Sequence, residues 1–532
     1  MAVKEINENS KLSLGVEFGS TRIKAVLIDD VQNVVASGSY EWENQLEDGY
    51  WTYSMDDVIV GLRESYKQLK NEVYEKYKFV LTKIDAMGFS AMMHGYLAFN
   101  EADKLLVPFR TWRNATTAQA EEKLTEVLKF NIPQRWSVAH LYQAILNDED
   151  HVTDISYITT LAGYVHWLMT DKKVIGVGDA SGMFPIDPNT KSYNESKLEI
   201  FNNLEECKNL PWKLKDILPS VLHAGEVAGV LTEAGALLID PDGDLLAGSL
   251  FCPPEGDAGT GMVATNSVRS KTGNISAGTS VFAMVVLENE LKQVYPEIDM
   301  VTTPCGDAVA MVHANNCSSE INAWVGIFKE FLDASGIQMP VDELFKVLFN
   351  QASTGDTDAG GLLSYGYLSG ENITKVPEGR PLLVRTPQSR FNLANLIRVQ
   401  LYTAFGALHI GMKTLTQKEQ VKLEKIFAHG GIFKTEGVAQ QILASSINTP
   451  VSVMSSASEG GAWGIALLAD YLTHAKNGIE LKDYLEDTVF INEAIIEKAP
   501  VWSEVAGFNK FARNYELGLP IELAAIKYLN HE

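Results

Sequence analysis

Three carboxylates, two hydroxyl-bearing glycine turns and one histidine carry most of the chemistry this chain could do. Glu17 lies in residues 12–28, where Leu12, Leu14, Val16 and Phe18 alternate with Ser13, Gly15 and Glu17 before Gly19, Ser20 and Thr21 break the run. That period predicts a half-buried strand, a tight turn and a second strand from Ala25 onward. Glycine permits the turn, and two hydroxyls beside free backbone N–H groups suit an anion such as phosphate. Taken alone, an ordinary hairpin with a glutamate on its solvent face fits as well. The arrangement returns in residues 273–287, where Gly278, Thr279 and Ser280 answer the first turn between two apolar runs. Two such turns, one early in each half, point to an internal duplication with two phosphate-binding hairpins.

Asp257 stands among the prolines and glycines of residues 253–261, a composition expected where backbone must approach a ligand. Residues 259–264 also match the loose GxGxxA dinucleotide pattern. No apolar strand leads into them and no acid follows at ribose distance, which argues against a dehydrogenase. Asp179, in the glycine-rich residues 176–182, reads as a loop hydrogen-bonder rather than a catalytic group. His94, before Gly95 at the end of a strand over 84–90, can face a ligand, although a lone histidine is more often a satisfied structural residue. Trp112, Arg113 and Asn114 place an aromatic plane, a cation and an amide together, as a sugar's CH face and hydroxyls require. A loop whose tryptophan packs on the core fits that trio equally well.

The elements that must position these groups alternate between strands and helices. Ser54 and Asp57 form a capping pair for a helix within 50–77. A second amphipathic helix opens at Thr116 and Gln119, and residues 160–169 read as a buried helix. In the second half a strand from Lys425 enters Gly430 and Gly431, followed by a helix over 438–447, a strand over 450–454 and a glycine-opened helix over 458–469. A Gly-Gly at a strand's carboxyl end admits a flat ligand close to the backbone. The sequence contains no GxxxxGK[ST], so any nucleotide site is not of the P-loop kind.

A chain of 532 residues is too long for one core and predicts at least two large domains. No apolar run reaches membrane length and the first eleven residues are polar, so the expectation is a cytoplasmic protein with no membrane partner. A net charge of -24, with no Lys/Arg cluster, argues against nucleic acid as a partner. The same field would repel a nucleotide, so a phosphate site here must rely on backbone N–H groups, Mg²⁺ and a few local cations. Cys207, Cys252, Cys305 and Cys317 lack CxxC spacing and read as reduced, structural cysteines.

In their order along the chain these stations resemble the FGGY carbohydrate kinases, members of the actin/hexokinase/Hsp70-like ATPase superfamily. The resemblance implies an α/β fold of two actin-like ATPase (ribonuclease H-like) domains with a catalytic cleft between them. The sugar-binding N-terminal domain would span 1–262 and the nucleotide-binding C-terminal domain 263–532. It implies ATP and Mg²⁺, with phosphates held by Gly19, Ser20, Thr21 and Lys24 and by Gly278, Thr279 and Ser280. The adenosine would lie at Gly430, Gly431 and Lys434. Asp257 falls on the family's catalytic aspartate, which accepts the proton of the attacking sugar hydroxyl and lies near the metal. Glu17 stands where the family usually carries Asp, with a metal or metal-water role implied. Met93, His94 and Gly95 resemble the substrate loop of xylulokinases. Trp112 to Asn114 with the following residues is closer to the matching run of ribulokinases. The implied acceptor is a ketopentose, L-ribulose ahead of D-xylulose. A non-catalytic, sugar-responsive protein on the same fold is the remote alternative, and a homodimer is a candidate assembly.

Overall fold

The computed structural model describes residues 6–454 and 460–529. The chain forms two compact units, one from Met1–Val268, Asp299–Val309 and Ser458–Asn492, the other from Arg269–Ile298, Ala310–Ala457 and Glu493–Glu532. Among the described residues no helix is long and apolar enough to cross a membrane, and all four cysteines are free.

The first unit is organised on the strand Leu12–Phe18. It pairs antiparallel with Arg22–Asp29, which pairs with Val34–Glu41, and parallel with Ala86–Ala91. Beyond Ala86–Ala91 come the parallel Leu250–Phe251 and then the antiparallel Gly229–Val230. Leu12, Leu14, Val16 and Phe18 join the side chains of Val58, Leu62, Tyr66 and Leu69 in one core. These last four line one face of the helix Met55–Tyr77, whose N-cap Ser54 accepts from the Asp57 N–H as its sequence predicts.

The alternation in 12–18 predicted a strand with one buried face, and the structure buries both. The face of Ser13 and Gly15 is covered by the helix Gly460–Ala475, which comes so close that a Cβ on Gly15 would stand 2.2 Å from the Ala462 carbonyl oxygen. The opposing helix surface is itself built of small residues, with Gly464 against the Thr260 backbone. The expected helix over 458–469 thus runs Gly460–Ala475, and the two residues predicted before it, Ser458 and Glu459, lie outside the described residues.

The second unit repeats the plan. Thr272–Ala277 pairs antiparallel with Val281–Val286 and parallel with Lys425–His429. Val451–Met454 adds in parallel and Ile495–Lys498 antiparallel. Val281–Val286 in turn neighbours the strand that ends at Ala314. From the central hairpin through two parallel strands to one antiparallel edge, the sheet order of one unit maps onto the other. The duplication inferred from the two glycine turns is therefore present in the hydrogen-bonded ladders themselves.

Candidate active site

Three parallel strand ends of the first unit deliver the expected groups to one edge. Phe18 leads into Gly19, Ala91 into Met92 and Met93, and the short strand Glu255–Gly256 pairs in parallel with Ser90–Ala91 before Asp257 opens the helix Asp257–Ala264. The carboxyl ends of parallel strands are where open α/β sheets place ligands, because loops there can vary without disturbing the ladder.

Asp257 and the Met93–Gly95 loop are joined directly. The Met93 N–H donates to Asp257 Oδ1 at 3.0 Å, and Ala258 N–H donates to the same atom at 3.0 Å. Asp257 is open to solvent although protein surrounds it on most sides, and the loss of bulk water raises its pKa against the pull of those amides. His94 is buried in a left-handed backbone conformation, φ 69°, followed by Gly95 at 93°. A non-glycine residue held there costs energy that surrounding structure must supply. The supports are visible: Ser137 Oγ donates to Gly95 O at 2.6 Å, and the His94 ring lies parallel to Trp136 at 6.2 Å. His94 Nδ1 lies 3.2 Å from the Gly182 carbonyl, which can only accept, so Nδ1 carries the proton and Nε2 is left as an acceptor. Burial and the Arg135 charge hold the ring neutral, its pKa well below the ordinary value.

Glu17 sits mid-sheet, paired with Lys24 on one side and Ser90 on the other. Its carboxyl is pushed up to about 7, first by burial and then by the negative Asp257; the Ala462 N–H, Lys24 and Arg22 oppose the shift. Two neighbouring carboxylates that repel each other near solvent form an oxygen donor set. Among the described residues no group of three or more His, Cys, Asp and Glu converges. That composition suits Mg²⁺, which keeps several waters and takes one or two carboxylates plus substrate phosphates rather than a protein cage.

The two glycine turns are built alike. In the first, Gly19 N–H closes on Arg22 O, while Trp42 Nε1 and Tyr53 OH donate to the carbonyls of Gly19 and Ser20 at 2.7 and 2.6 Å. In the second, Gly278 N–H closes on Ser280 O, and the N–H groups of Cys317 and Ser318 donate to the carbonyls of Thr279 and Gly278. With their carbonyl sides occupied from behind, both turns offer exposed hydroxyls, Ser20 and Thr21 in one and Thr279 in the other. An anion meets donors there rather than lone pairs. Gly430 packs so tightly on Ala277 that a Cβ would fall 2.0 Å from its carbonyl oxygen, which places the Gly430–Gly431 bend beside the strand feeding Gly278. A Cβ on Gly431 or Gly278 would meet open space, and Lys434 is exposed.

The Trp112–Asn114 trio is employed differently. Asn114 is buried, accepts from Trp51 N–H at 2.7 Å and donates to the carbonyls of Trp51 and Thr111. Arg113 lies over the Trp51 ring at 3.8 Å and donates to Asn44, while Trp112 is exposed. The hydrogen bonds of Arg113 and Asn114 tie one loop to another, and none of these partners belongs to the Met93–Gly95 or Asp257 group.

Sequence reasoning missed what residues 176–182 do. Val177–Ala180 is a short helix rather than a loop, and its Gly178 and Asp179 N–H groups donate to the buried Glu255 carboxylate at 3.2 and 2.9 Å. A Cβ on either Gly176 or Gly178 would stand 2.3 Å from a Glu255 oxygen. Asp179 takes a bond from Thr160 Oγ1 at 2.6 Å, as a loop hydrogen-bonder should, while its Oδ1 has no partner. Burial pushes Glu255 up to about 8 and Asp179 up to about 7. The spacing Gly-Xaa-Gly-Asp was the available signal, because two glycines two apart mark a backbone wrapped around something.

Family models for the N-terminal and C-terminal domains of the FGGY family of carbohydrate kinases match residues 12–239 and 273–472, so the chain belongs to that family. It is an ATP-dependent sugar kinase. A xylulose kinase from Haemophilus influenzae is 23% identical over 530 residues, covering 94% of this chain and 98% of that protein. Among solved structures, a gluconate kinase from Lactobacillus acidophilus aligns with a TM-score of 0.78 at 16% identity, covering 98% of this chain and 100% of the other. A xylulose kinase from Rhodospirillum rubrum aligns at 0.76 and 16%, covering 97% and 99%. At these identities the structural likeness establishes the actin-like two-domain fold.

Proposed function

We propose that the chain phosphorylates the terminal hydroxyl of a ketopentose, with Asp257 as general base. The observation that carries this reading is the Met93 N–H bond to Asp257 Oδ1, which couples the sugar loop to the proton acceptor. A base must lie within hydrogen-bond reach of the proton it takes. Asp257 receives the proton of the sugar hydroxyl as that oxygen attacks the γ-phosphorus, and the phosphorus–oxygen bond to ADP breaks on the opposite side. His94, fixed in one tautomer, accepts from a sugar hydroxyl through Nε2. Glu17, with Asp257 nearby, would hold Mg²⁺ through its water shell, and the ion would neutralise charge on the phosphate oxygens. The donors of Gly19–Thr21, Gly278–Ser280 and Lys24 serve the phosphates, and Gly430, Gly431 and Lys434 the adenosine.

D-xylulose now leads as the acceptor. A relative named xylulose kinase matches over nearly its whole length, which supports this reading. In the Trp112–Asn114 run, which favoured L-ribulose, the Asn114 amide and one Arg113 nitrogen are bonded within the protein. L-ribulose remains the second reading. ADP release should be measured with D-xylulose, L-ribulose, D-ribulose, gluconate and glycerol at matched concentrations. A kcat/KM for D-xylulose well above the rest is expected. A higher value for gluconate or glycerol would overturn the ketopentose assignment.

A further inference from the structure

We propose that the first turn of the helix Gly460–Ala475 is the positioning element for Glu17, and that Glu17 and Gly461 form a size-matched pair. Glu17 has one methylene more than the aspartate that stands at this point in the resembling kinases, and the extra length has to be accommodated. The structure accommodates it on the helix. A Cβ on Gly461 would fall 2.3 Å from Glu17 Oε1 and 2.8 Å from Thr260 Oγ1, and one on Gly460 would stand 3.9 Å from Glu17 Oε2. Gly460 is also left-handed, φ 69°, a conformation that glycine adopts without strain. The next residue, Ala462, supplies the backbone N–H that the Glu17 carboxylate accepts. One glycine gives the room, and the adjacent amide gives the direction.

The same turn touches the other side of the site. Thr260 Oγ1 bonds Ser90 Oγ at 3.0 Å, and Ser90 is the ladder partner of Glu17. Gly464 then admits the Thr260 carbonyl, to which a Cβ would approach within 2.1 Å. Glu17, Ser90, Thr260 and the helix start are therefore one packed joint, in which the carboxylate has little freedom to swing. Its aim is set by a helix more than four hundred residues away in the chain. The inference rests on the reading of Glu17 as the carboxylate near the metal.

The test is a double-mutant cycle on the whole protein, with Gly461→Ala, Glu17→Asp and the pair, read by unfolding and by kinetics. Alanine ordinarily stabilises a helix relative to glycine, so the sign of the first variant is diagnostic. Expected is a fall in Tm for Gly461→Ala, with a smaller fall when Asp stands at 17, because the shorter side chain withdraws from the added methyl. KM for Mg·ATP should rise roughly tenfold in Gly461→Ala and recover in part in the pair, while sugar affinity measured without nucleotide stays within about twofold. A Tm for Gly461→Ala at or above the parent's, or strictly additive effects of the two changes, would overturn the positioning role. Glu17→Gln across a Mg²⁺ titration tests the underlying reading separately. An unchanged Mg²⁺ dependence there, with coupling intact in the cycle, would remove the metal role and leave the size-matched pair.

Discussion

Met93 and Asp257 are bound to each other, backbone to side chain: the Met93 amide donates to Asp257 Oδ1 at 3.0 Å although 164 residues separate them. The proposed sugar loop and the proposed base therefore hold one geometry, and substitutions at the two should separate cleanly. Asp257→Asn keeps an oxygen for the Met93 amide and loses the proton acceptor. Its kcat should fall roughly 10²–10⁴-fold, with sugar affinity changing little, as steady-state ADP release beside equilibrium sugar binding will show. Near-parent turnover would move the base elsewhere.

His94 and Asn114 should now behave differently. His94→Ala removes an acceptor aimed from a strained loop and should raise the sugar KM about tenfold with KM for ATP nearly unchanged. Asn114→Ala strands the Trp51 and Thr111 backbone groups and should cost about 1–3 kcal/mol of stability, with a smaller effect on sugar KM. Equal sugar defects without loss of stability would return Asn114 to the sugar site.

Gly178→Ala drives a methyl against the Glu255 carboxylate two residues before Asp257. Overpacking of this kind costs about 1–3 kcal/mol. The expected signature is a lowered Tm together with a loss in kcat, since the displaced Glu255 carries the Asp257 peptide with it. A variant as stable and active as the parent would show that the loop tolerates the shift.

Acid should destabilise the first unit through buried neutral histidines. Burial, with the Arg110 charge, pushes His140 down to about 3, and burial pushes His166 down to about 4, against an ordinary value of 6.5. A depressed folded pKa means stability that is present above the unfolded pKa and is lost as pH falls from 6.5 toward the folded value. At pH 5 the contribution of each approaches ~2 kcal/mol. Both His140 ring nitrogens lack partners, so His140→Phe should flatten the acid limb of an unfolding-against-pH curve. An unchanged limb would place the titration elsewhere.

What the sequence made legible was local and repeated. Hairpin alternation, the two glycine turns, the Ser54 cap and the Gly430–Gly431 bend each depend on residues within one or two turns of chain, where period and residue type report geometry directly. The groups it left hidden depend on distant partners. The pattern in 12–18 marks Leu12, Leu14, Val16 and Phe18 as buried, but Gly15 reveals its use only against Ala462. Gly176 and Gly178 likewise look like loop residues until Glu255 is placed between them. Trp112 to Asn114 shows the converse ambiguity, since side chains apt for a sugar are equally apt for holding two loops together.

The return of Gly460–Ala475 to the first unit also governs when that unit can finish folding during synthesis. The central strand leaves the ribosome more than four hundred residues before the helix that covers its Ser13 and Gly15 face. Until then a nascent chain holds a sheet with one face closed by Met55–Tyr77 and the other bare, a state that invites association with other chains. Completion of the first unit thus waits for the synthesis of residue 475, and a chain ended before it cannot close its own sheet.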